Sequence, residues 1–116
     1  MIEKFGIGID ICSIEKFKKK PFKNNERFYK KIFSMNEISY CMKFKNNYEK
    51  FAAKFAIKEA VIKSITEKIN FQNIETTYQN SKPEIILNSN QKYKFLISLS
   101  HEKDYAVAVV ISEKIK

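Results

Sequence analysis

Small and bulky residues alternate near the beginning of the chain. Over residues 5–11 an isoleucine occupies every second position from 7 onward, and the positions between hold two glycines and then Asp10. Because successive side chains of a strand point to opposite faces, the isoleucines share one face and Asp10 lies with the glycines on the other. The pattern predicts a strand that ends on Asp10, with a glycine-lined face open to a ligand.

A different periodicity covers residues 48–69, which contain neither glycine nor proline. Phe51, Phe55, Ile62 and Ile65 recur at the spacing of one helical face. Apolar residues at such intervals mark the side of a helix that packs on a core. This segment is therefore predicted to form one long helix.

A second stripe runs along the same helix beside the apolar one. Ala52, Ala56, Glu59 and Lys63 follow one another at steps of four, three and four residues, which puts them on one face. The alanines would let another element pack close to the helix, while Glu59 faces the gap between the two. We expect an inward carboxylate here, with a lysine one turn later.

Shorter elements are predicted on both sides of the long helix. Ser34 and Glu37 form a capping-box pattern, which indicates a helix that begins there and runs toward Phe44. A short helix precedes it, and segments rich in β-branched and aromatic residues predict strands after the long helix. The approximate ranges are 25–32 for the short helix and 71–78, 84–87, 95–100 and 105–112 for the strands.

Together these elements predict an α+β fold in which a mostly antiparallel sheet packs on one long helix. A chain of 116 residues is large enough for one core and too small for two, so residues 1–116 are expected to form a single domain. Hydrophobic residues make up 44% of the chain, which favours a packed fold over disorder.

The chain is strongly basic, with 22 lysines and arginines against 13 acidic residues and a net charge of +9. Such a balance favours an anionic partner, whether nucleic acid, a membrane surface, a polyphosphate ligand or an acidic protein. Compositional bias is the alternative, because heavy use of Lys, Asn and Ile is typical of AT-rich coding sequences. Nucleic acid is disfavoured, since Arg27 is the single arginine and base-stacking surfaces usually interleave arginines with aromatic residues.

The location of the protein is expected to be cytoplasmic, with the interior of an organelle as the alternative. No apolar run approaches the roughly 20 residues that a membrane-spanning helix needs, so no membrane association is expected. The N-terminus shows no charged segment followed by an apolar stretch, as a signal peptide would require. Cys12 and Cys41 lack the spacing of metal ligands and are expected to remain thiols in a reducing compartment.

Asp10 and Glu59 are the strongest candidates for chemistry. Alone, Asp10 would be interpreted as a turn residue and Glu59 as a solvated carboxylate paired with Lys63. Together, in small-residue surroundings, they match the one or two carboxylates that Mg²⁺ takes alongside phosphate oxygens and water. Lys63, one turn beyond Glu59, is the candidate for stabilising charge on a phosphoryl group.

Other polar residues have competing structural interpretations. Lys54, Lys58 and Lys63 are each consistent with a solvated helix lysine, and for Lys58, beside the apolar stripe, this interpretation is preferred. His101 is the only histidine and falls at a predicted strand end, where a ligand contact competes with a plain surface position. The sequence has no Ser-His-Asp order, no glycine-rich phosphate loop and no zinc-ligand spacing.

Several segments occur in the order that is typical of a known family. They are Gly6–Asp10, Ile32–Glu37, Phe51–Lys63, Lys82–Pro83, Ser98–His101 and Tyr105–Ala108. Together they resemble holo-acyl-carrier-protein synthase, the small type of 4′-phosphopantetheinyl transferase, over nearly the whole chain. The long-helix motif combined with the N-terminal strand motif is the most specific part of this resemblance.

The resemblance implies an activity, a cofactor and partners. Members of the family move the phosphopantetheine arm of coenzyme A onto a serine of apo-acyl carrier protein and release adenosine 3′,5′-bisphosphate, with Mg²⁺ on the pyrophosphate. The same transfer is implied here, in support of fatty acid biosynthesis, by a homotrimer with active sites at its subunit interfaces. Acyl carrier proteins are acidic, so the lysines of residues 16–31 gain a natural partner.

The family's site residues carry over by their positions in the motifs. Asp10 and Glu59 match the metal-binding carboxylates, and Glu59 is implied to help remove the proton of the carrier's serine. Lys63 matches the lysine that contacts the phosphates and is counted with Glu59 as catalytic. The implied coenzyme contacts are Lys54, Lys63, Lys82 and His101.

The chain departs from the family pattern at several positions. Lys16 and Lys54 stand where the family often has arginine, and Ser81 replaces the usual glycine before Lys82. Residues 66–70 replace a glycine-rich turn after the long helix. The alternative to an enzyme is a non-catalytic basic module that binds RNA or an acidic protein.

Overall fold

A computed structural model describes residues 4–115, in which four helices, two short 3₁₀ turns and five strands follow one another. The helices are α1 (Ile14–Lys18), α2 (Glu26–Ile32), α3 (Met35–Met42) and α4 (Asn47–Ser64). The strands are β1 (Phe5–Ser13), β2 (Ile74–Gln79), β3 (Lys82–Leu87), β4 (Lys92–His101) and β5 (Tyr105–Ile115). None of these helices is long and apolar enough to cross a membrane.

The predicted α+β architecture is confirmed. β1, β5 and β4 form an antiparallel sheet in that order, and α4 packs across one of its faces. Ala106, Ala108 and Val110 of β5 turn toward the helix and are completely buried. The small side chains of β5, the central strand, let the helix lie close to the sheet. As a result α4 also packs against the neighbouring strand β1.

The glycine-lined face of β1 is covered by α4. A Cβ atom on Gly8 would overlap the carbonyl oxygen of Ala60, and one on Gly6 would overlap that of Ser64. The prediction that the glycines clear this face for a ligand is therefore wrong, because the helix backbone fills the space that Gly6 and Gly8 leave. The small residues do mark a close approach of two backbones, and it joins β1 to the helix that carries Glu59.

The isoleucine face of β1 is exposed instead. Ile7, Ile9 and Ile11 are 67%, 59% and 62% exposed, although isoleucine is among the residue types most often buried. The apolar surface continues across β5 and β4, the strands that follow β1 in the sheet. We name it the open sheet face and define it by Phe5, Ile7, Ile9, Ile11, Leu96, Tyr105 and Ile111.

The long helix ends earlier than the sequence predicts. α4 stops at Ser64, and Ile65 is already extended with φ −120° and ψ 157°, whereas the pattern favoured a helix to residue 69. The Ser64 carbonyl oxygen accepts a 2.8 Å hydrogen bond from the Ser112 hydroxyl of β5. This long-range bond satisfies a carbonyl at the helix end, and Ile65 turns into the core at 8% exposure.

The lysine-rich stretch after β1 begins with a helix that the sequence pattern did not indicate. α1 is anchored by Phe17, which is 1% exposed and packs against the rings of Tyr29 and Phe51. Lysines therefore project from a fixed helix. Lys16 Nζ, for example, lies 4.1 Å from the centroid of the Phe55 ring, a cation–π arrangement.

Strands β2 and β3 pair with each other and form a two-stranded sheet beside the main one. The predicted strand over 71–78 begins later, at Ile74, because Phe71–Asn73 forms a 3₁₀ turn capped by the Asn70 side chain. At the tip of the hairpin, Asn80 and Ser81 have positive φ angles of 53° and 66°. Two consecutive residues with positive φ are typical of the tight turn that joins antiparallel strands.

Candidate active site

Asp10 lies inside β1, three residues before the strand ends. The prediction that the strand stops there is wrong, because the following residues continue the ladder with β5. The side chain is 13% exposed, and Oδ1 accepts a hydrogen bond of 3.2 Å from Lys63 Nζ. Oδ2 is buried without a hydrogen-bond partner in the described part of the chain. Such an oxygen is costly to bury alone and would be stabilised by a cation.

Lys63 bridges α4 and β1. Its Nζ atom donates to Asp10 Oδ1 and also to the carbonyl oxygen of Ile9, at 3.1 Å. The Lys63 side chain is 52% exposed, so water screens the ion pair and its contribution to stability is small, about 0–1 kcal/mol. An ammonium group held at the surface beside a carboxylate remains accessible to a bound anion.

Glu59 lies one turn before Lys63 on α4. The two glycine contacts described above show that the helix runs antiparallel to β1. Two residues of a strand and four residues of a helix each span about 6 Å. Gly6 lies beside Ser64 and Gly8 beside Ala60, so a further two strand residues place Asp10 level with the helical turn that precedes Glu59. The Glu59 side chain is partly exposed and forms no ion pair within residues 4–115.

The charges of both carboxylates act on Cys12. Burial raises the pKa of the Cys12 thiol to about 11, with Lys16 opposing the shift and Asp10 and Glu59 adding to it. Both carboxylates are therefore close enough to Cys12 for their charges to act on its thiol. Burial likewise raises the pKa of the Cys41 thiol to about 12, so both cysteines stay protonated at neutral pH and neither is a nucleophile.

The oxygen atoms at this place suit a hard divalent cation. Among residues 4–115, Asp10 offers a buried oxygen without a donor, and Glu59 offers a carboxylate without an ion-pair partner. Mg²⁺ prefers one or two carboxylates together with phosphate oxygens and water. Within residues 4–115 no group of three or more His, Cys, Asp or Glu side chains could hold a metal by itself. The residues therefore fit Mg²⁺ in company with a phosphate ligand.

Two lysines of α4 lie in the core. Lys58 is 0% exposed and its Nζ lies 2.6 Å from Glu37 Oε1, so its interpretation as a solvated lysine is wrong. Lys54 is 1% exposed and its Nζ donates to Thr76, so its position does not support the coenzyme contact expected for it. Burial lowers the pKa of both ammonium groups, and the Glu37 carboxylate opposes that shift.

Lys82 and His101 line a groove between the hairpin and β4, together with Tyr78 and Phe95. Cationic and aromatic side chains thus face one space. In the sheet register, His101 lies two strands across and two residues along from Asp10, or about 12 Å between Cα atoms. Lys82 and His101 therefore line one groove, and His101 lies apart from Asp10 within the chain.

The sequence pattern did not indicate that Glu37 and Thr76 are polar residues of the interior. The capping box at Ser34 is confirmed, with the side chain of each residue bonded to the backbone of the other. That local motif gave no sign that the same carboxylate also pairs with Lys58. One sequence signal could have indicated buried polar partners. Lys54 and Lys58 both occur in a helical segment that is otherwise apolar on several sides.

Comparisons with known proteins bear on what this arrangement does. A model of the 4′-phosphopantetheinyl transferase superfamily matches residues 6–110. A holo-[acyl-carrier-protein] synthase of Thermodesulfovibrio yellowstonii is 42% identical over 114 residues, covering 96% of this chain and 98% of that protein. One from Chlamydia trachomatis is 37% identical over 118 residues, covering 94% of this chain and 99% of the relative.

Solved structures match the fold over the same extent. A Bacillus anthracis holo-(acyl-carrier-protein) synthase in complex with CoA (3′,5′-ADP) superposes with a TM-score of 0.78 at 31% identity, covering 95% of this chain and 96% of that one. A Helicobacter pylori holo-[acyl-carrier-protein] synthase in complex with coenzyme A gives a TM-score of 0.76 at 30% identity, covering 92% and 99%.

Proposed function

Because this chain belongs to the 4′-phosphopantetheinyl transferase superfamily, as an enzyme of the holo-[acyl-carrier-protein] synthase family, we propose the reaction that it catalyses. The 4′-phosphopantetheine group of coenzyme A is transferred to a serine of apo-acyl carrier protein in a Mg²⁺-dependent step. The products are holo-acyl carrier protein and adenosine 3′,5′-bisphosphate, and the pathway served is fatty acid biosynthesis. Because the chain belongs to an enzyme family, we reject the alternative of a non-catalytic basic module.

The observation that carries the Mg²⁺ dependence is the Oδ2 atom of Asp10, which lies beside Lys63 and has no hydrogen-bond partner in the described part of the chain. Asp10 and Glu59 would hold the ion from two different elements, β1 and α4. When bound, Mg²⁺ supplies Lewis-acid polarisation and neutralises charge on the pyrophosphate of coenzyme A. Lys63 adds a second positive charge at the same phosphates, and its exposed ammonium group lies within reach of a ligand at the helix surface.

The transfer needs a positioned nucleophile and a proton acceptor, without a covalent enzyme intermediate. The serine oxygen of the carrier forms a bond to the β-phosphorus while the bond from that phosphorus to the bridging oxygen of the pyrophosphate breaks. Glu59 accepts the serine proton, directly or through a water molecule, and adenosine 3′,5′-bisphosphate leaves with the bridging oxygen. Positioning and charge neutralisation dominate reactions of this kind.

Lys82 and His101 are the proposed coenzyme contacts away from the metal, and the groove that they share supports this role. Lys54 is left out because its ammonium group is enclosed. The acidic carrier would meet the lysines of α1, which include Lys16 and Lys18. Two free cysteines agree with the cytoplasmic location that the proposal includes.

The active unit is proposed to be a homotrimer of one-domain chains spanning residues 1–116, with active sites at the subunit interfaces. Support comes from the open sheet face, whose exposed apolar residues form a surface that monomeric proteins rarely leave uncovered. A second copy of the chain is the partner that closed symmetry supplies. The separation of His101 from Asp10 in one chain also favours a site that two chains complete.

The test is mass spectrometry of apo-acyl carrier protein after incubation with coenzyme A, Mg²⁺ and the purified protein. We expect the mass of one phosphopantetheine group to be added, and chelation of the metal to stop the addition. Asp10→Asn and Glu59→Gln should each reduce turnover at least 100-fold, because each removes a charged metal ligand.

Glu49→Gln, in the first turn of the same helix, is the matched control and should retain full activity. Circular dichroism should show that all three variants remain folded. Absence of transfer by folded wild-type protein to its cognate carrier would overturn the proposal, and full activity of either metal-ligand variant would overturn the site.

A further inference from the structure

The hairpin β2–β3 shares no strand ladder with the main sheet in residues 4–115. Its position against the rest of the molecule is therefore fixed by side chains and not by a continuous backbone ladder. Since Lys82 lies on this hairpin and His101 on β4, the placement of the hairpin sets the distance between the two sides of the groove. What holds β2 in place thus matters for the site.

Thr76 of β2 is held on its outer edge by two charged side chains. Its backbone N–H donates to Glu37 Oε2 at 2.7 Å, and its carbonyl oxygen accepts from Lys54 Nζ at 3.0 Å. The Thr76 hydroxyl joins the same two groups, since it donates to Glu37 Oε2 and accepts from Lys54 Nζ, both at 2.8 Å. One residue therefore connects β2 to α3 and to α4 by four hydrogen bonds.

These bonds lie in the interior, where they are strong. The exposed fractions are 1% for Glu37, 1% for Lys54 and 3% for Thr76. Hydrogen bonds to ionised groups are the stronger kind, and a low local dielectric strengthens them further. Glu37 is itself fixed, because its Oε1 atom accepts from Ser34 N at 2.8 Å and pairs with Lys58 Nζ at 2.6 Å. The Glu37 end of the anchor is therefore fixed by contacts of its own.

The same unit reaches the groove through two aromatic rings. Lys54 Nζ lies 4.9 Å from the ring centroid of Tyr40 and 5.0 Å from that of Tyr78, and the two rings lie 5.3 Å apart. Both tyrosines line the groove that also contains Lys82 and His101. A shift of Thr76 or Lys54 would therefore move the aromatic lining of the groove as well as the hairpin.

We propose that Glu37, Thr76 and Lys54 form a positioning unit, which holds the hairpin against α3 and α4 and thereby sets the width of the coenzyme groove. The inference rests on the proposed function, because that function assigns coenzyme A to the groove. None of the three residues touches the reacting atoms. They act through Lys82 and the groove tyrosines.

The test compares Thr76→Val with Thr76→Ser. Valine keeps the size and branching of threonine but removes the hydroxyl, whereas serine keeps the hydroxyl, so the pair isolates the bridge between Glu37 and Lys54. Hydrogen exchange of the free protein is measured first, without any substrate. We expect the amides of residues 74–87 to exchange about tenfold faster in Thr76→Val and at the wild-type rate in Thr76→Ser.

Kinetics then separate positioning from stability. We expect Thr76→Val to raise the KM for coenzyme A about tenfold, while kcat at saturating coenzyme and the Mg²⁺ requirement change less than twofold. Thr76→Ser should match wild type in all three. An unchanged KM in Thr76→Val, with or without faster exchange, would overturn the proposal, since a purely structural role would leave the KM of the folded fraction unaltered.

If Thr76→Val does not fold, Lys54→Met is measured by the same criteria, because it removes the ammonium group from the other side of the bridge. Lack of transferase activity in folded wild-type protein would instead overturn the proposed function. The exchange experiment would still report whether the unit holds the hairpin, so the two failures are distinguishable.

Discussion

At the scale of single residues, the glycines of β1 decide how close the helix that carries Glu59 can come. Gly8 faces the carbonyl oxygen of Ala60, a backbone atom that cannot move away without displacing α4. Asp10, two residues further along the strand, owes its proximity to Lys63 to that short distance. Gly8 takes no part in the chemistry, yet its lack of a side chain thus sets the geometry of the candidate metal site.

We therefore predict that Gly8→Ala destabilises the protein by about 3 kcal/mol, since the added methyl group overpacks against a backbone carbonyl. Urea unfolding measures the change. Ser100→Ala, at an exposed position of the same sheet, is the control and should change stability by less than about 0.5 kcal/mol. A loss below about 1 kcal/mol in Gly8→Ala would mean that helix and strand can separate without cost.

Among single residues, those with a local signature could be predicted from the sequence. The Ser34–Glu37 capping box was predicted and observed, because both of its partners lie within one turn. Lys58 was assigned to solvent because its partner, Glu37, belongs to another helix, and periodicity carries no information on such pairs. The roles of Asp10 and Glu59 remain predictions, supported by an unpartnered oxygen that only three-dimensional coordinates reveal.

At the scale of elements, boundaries depended on contacts from outside the element. Residues 65–69 contain no glycine or proline, so local propensity allowed α4 to continue, yet Ser112 of β5 binds the last carbonyl oxygen and the chain turns inward. β1 likewise extends past Asp10 because β5 offers partners as far as Tyr105. The types of α4 and β1 were predictable from periodicity, whereas their ends were set by tertiary hydrogen bonds.

The hairpin turn offers a prediction at this scale. Ser81 has a φ angle of 66°, a conformation that is strained for residues with a Cβ atom and free of strain for glycine. Ser81→Gly should therefore stabilise the protein by about 0.5–1 kcal/mol, measured by thermal unfolding. Ser81→Ala keeps the Cβ atom and should bring no gain. A lower melting temperature for the glycine variant would show that the turn relaxes by another route.

At the scale of the whole molecule, the fold class was predictable from the sequence and the open sheet face was not. Alternation in β1 separates isoleucines from glycines but cannot say which set turns inward, and core packing usually favours the larger residues. Here α4 requires the small ones, so Ile7, Ile9 and Ile11 remain on the surface. The proposed trimer gives that surface a partner.

The proposed interface active sites predict complementation between two variants that each lack one side of the site. Glu59→Ala and His101→Ala chains, co-expressed in equal amounts, should recover about a quarter of wild-type activity, because that share of interfaces combines an intact Glu59 with an intact His101. The measurement is the carrier mass assay on the purified mixture, with each variant alone as the baseline.

Ile9→Lys, placed in both chains, is the control for assembly. A charge on the open sheet face should keep the chains apart and abolish the recovery. A mixture no more active than the mean of its two components would show that each chain builds its site alone.

The outer edge of β2 has a consequence for solubility. An exposed strand edge with free N–H and C=O groups is a template on which another chain can add a strand and begin to aggregate. At the middle of β2 both groups of Thr76 are already occupied, one by Glu37 and the other by Lys54. These two buried side chains therefore also protect the hairpin, because an incoming strand that displaced them would leave the Lys54 ammonium group without its acceptors in the core.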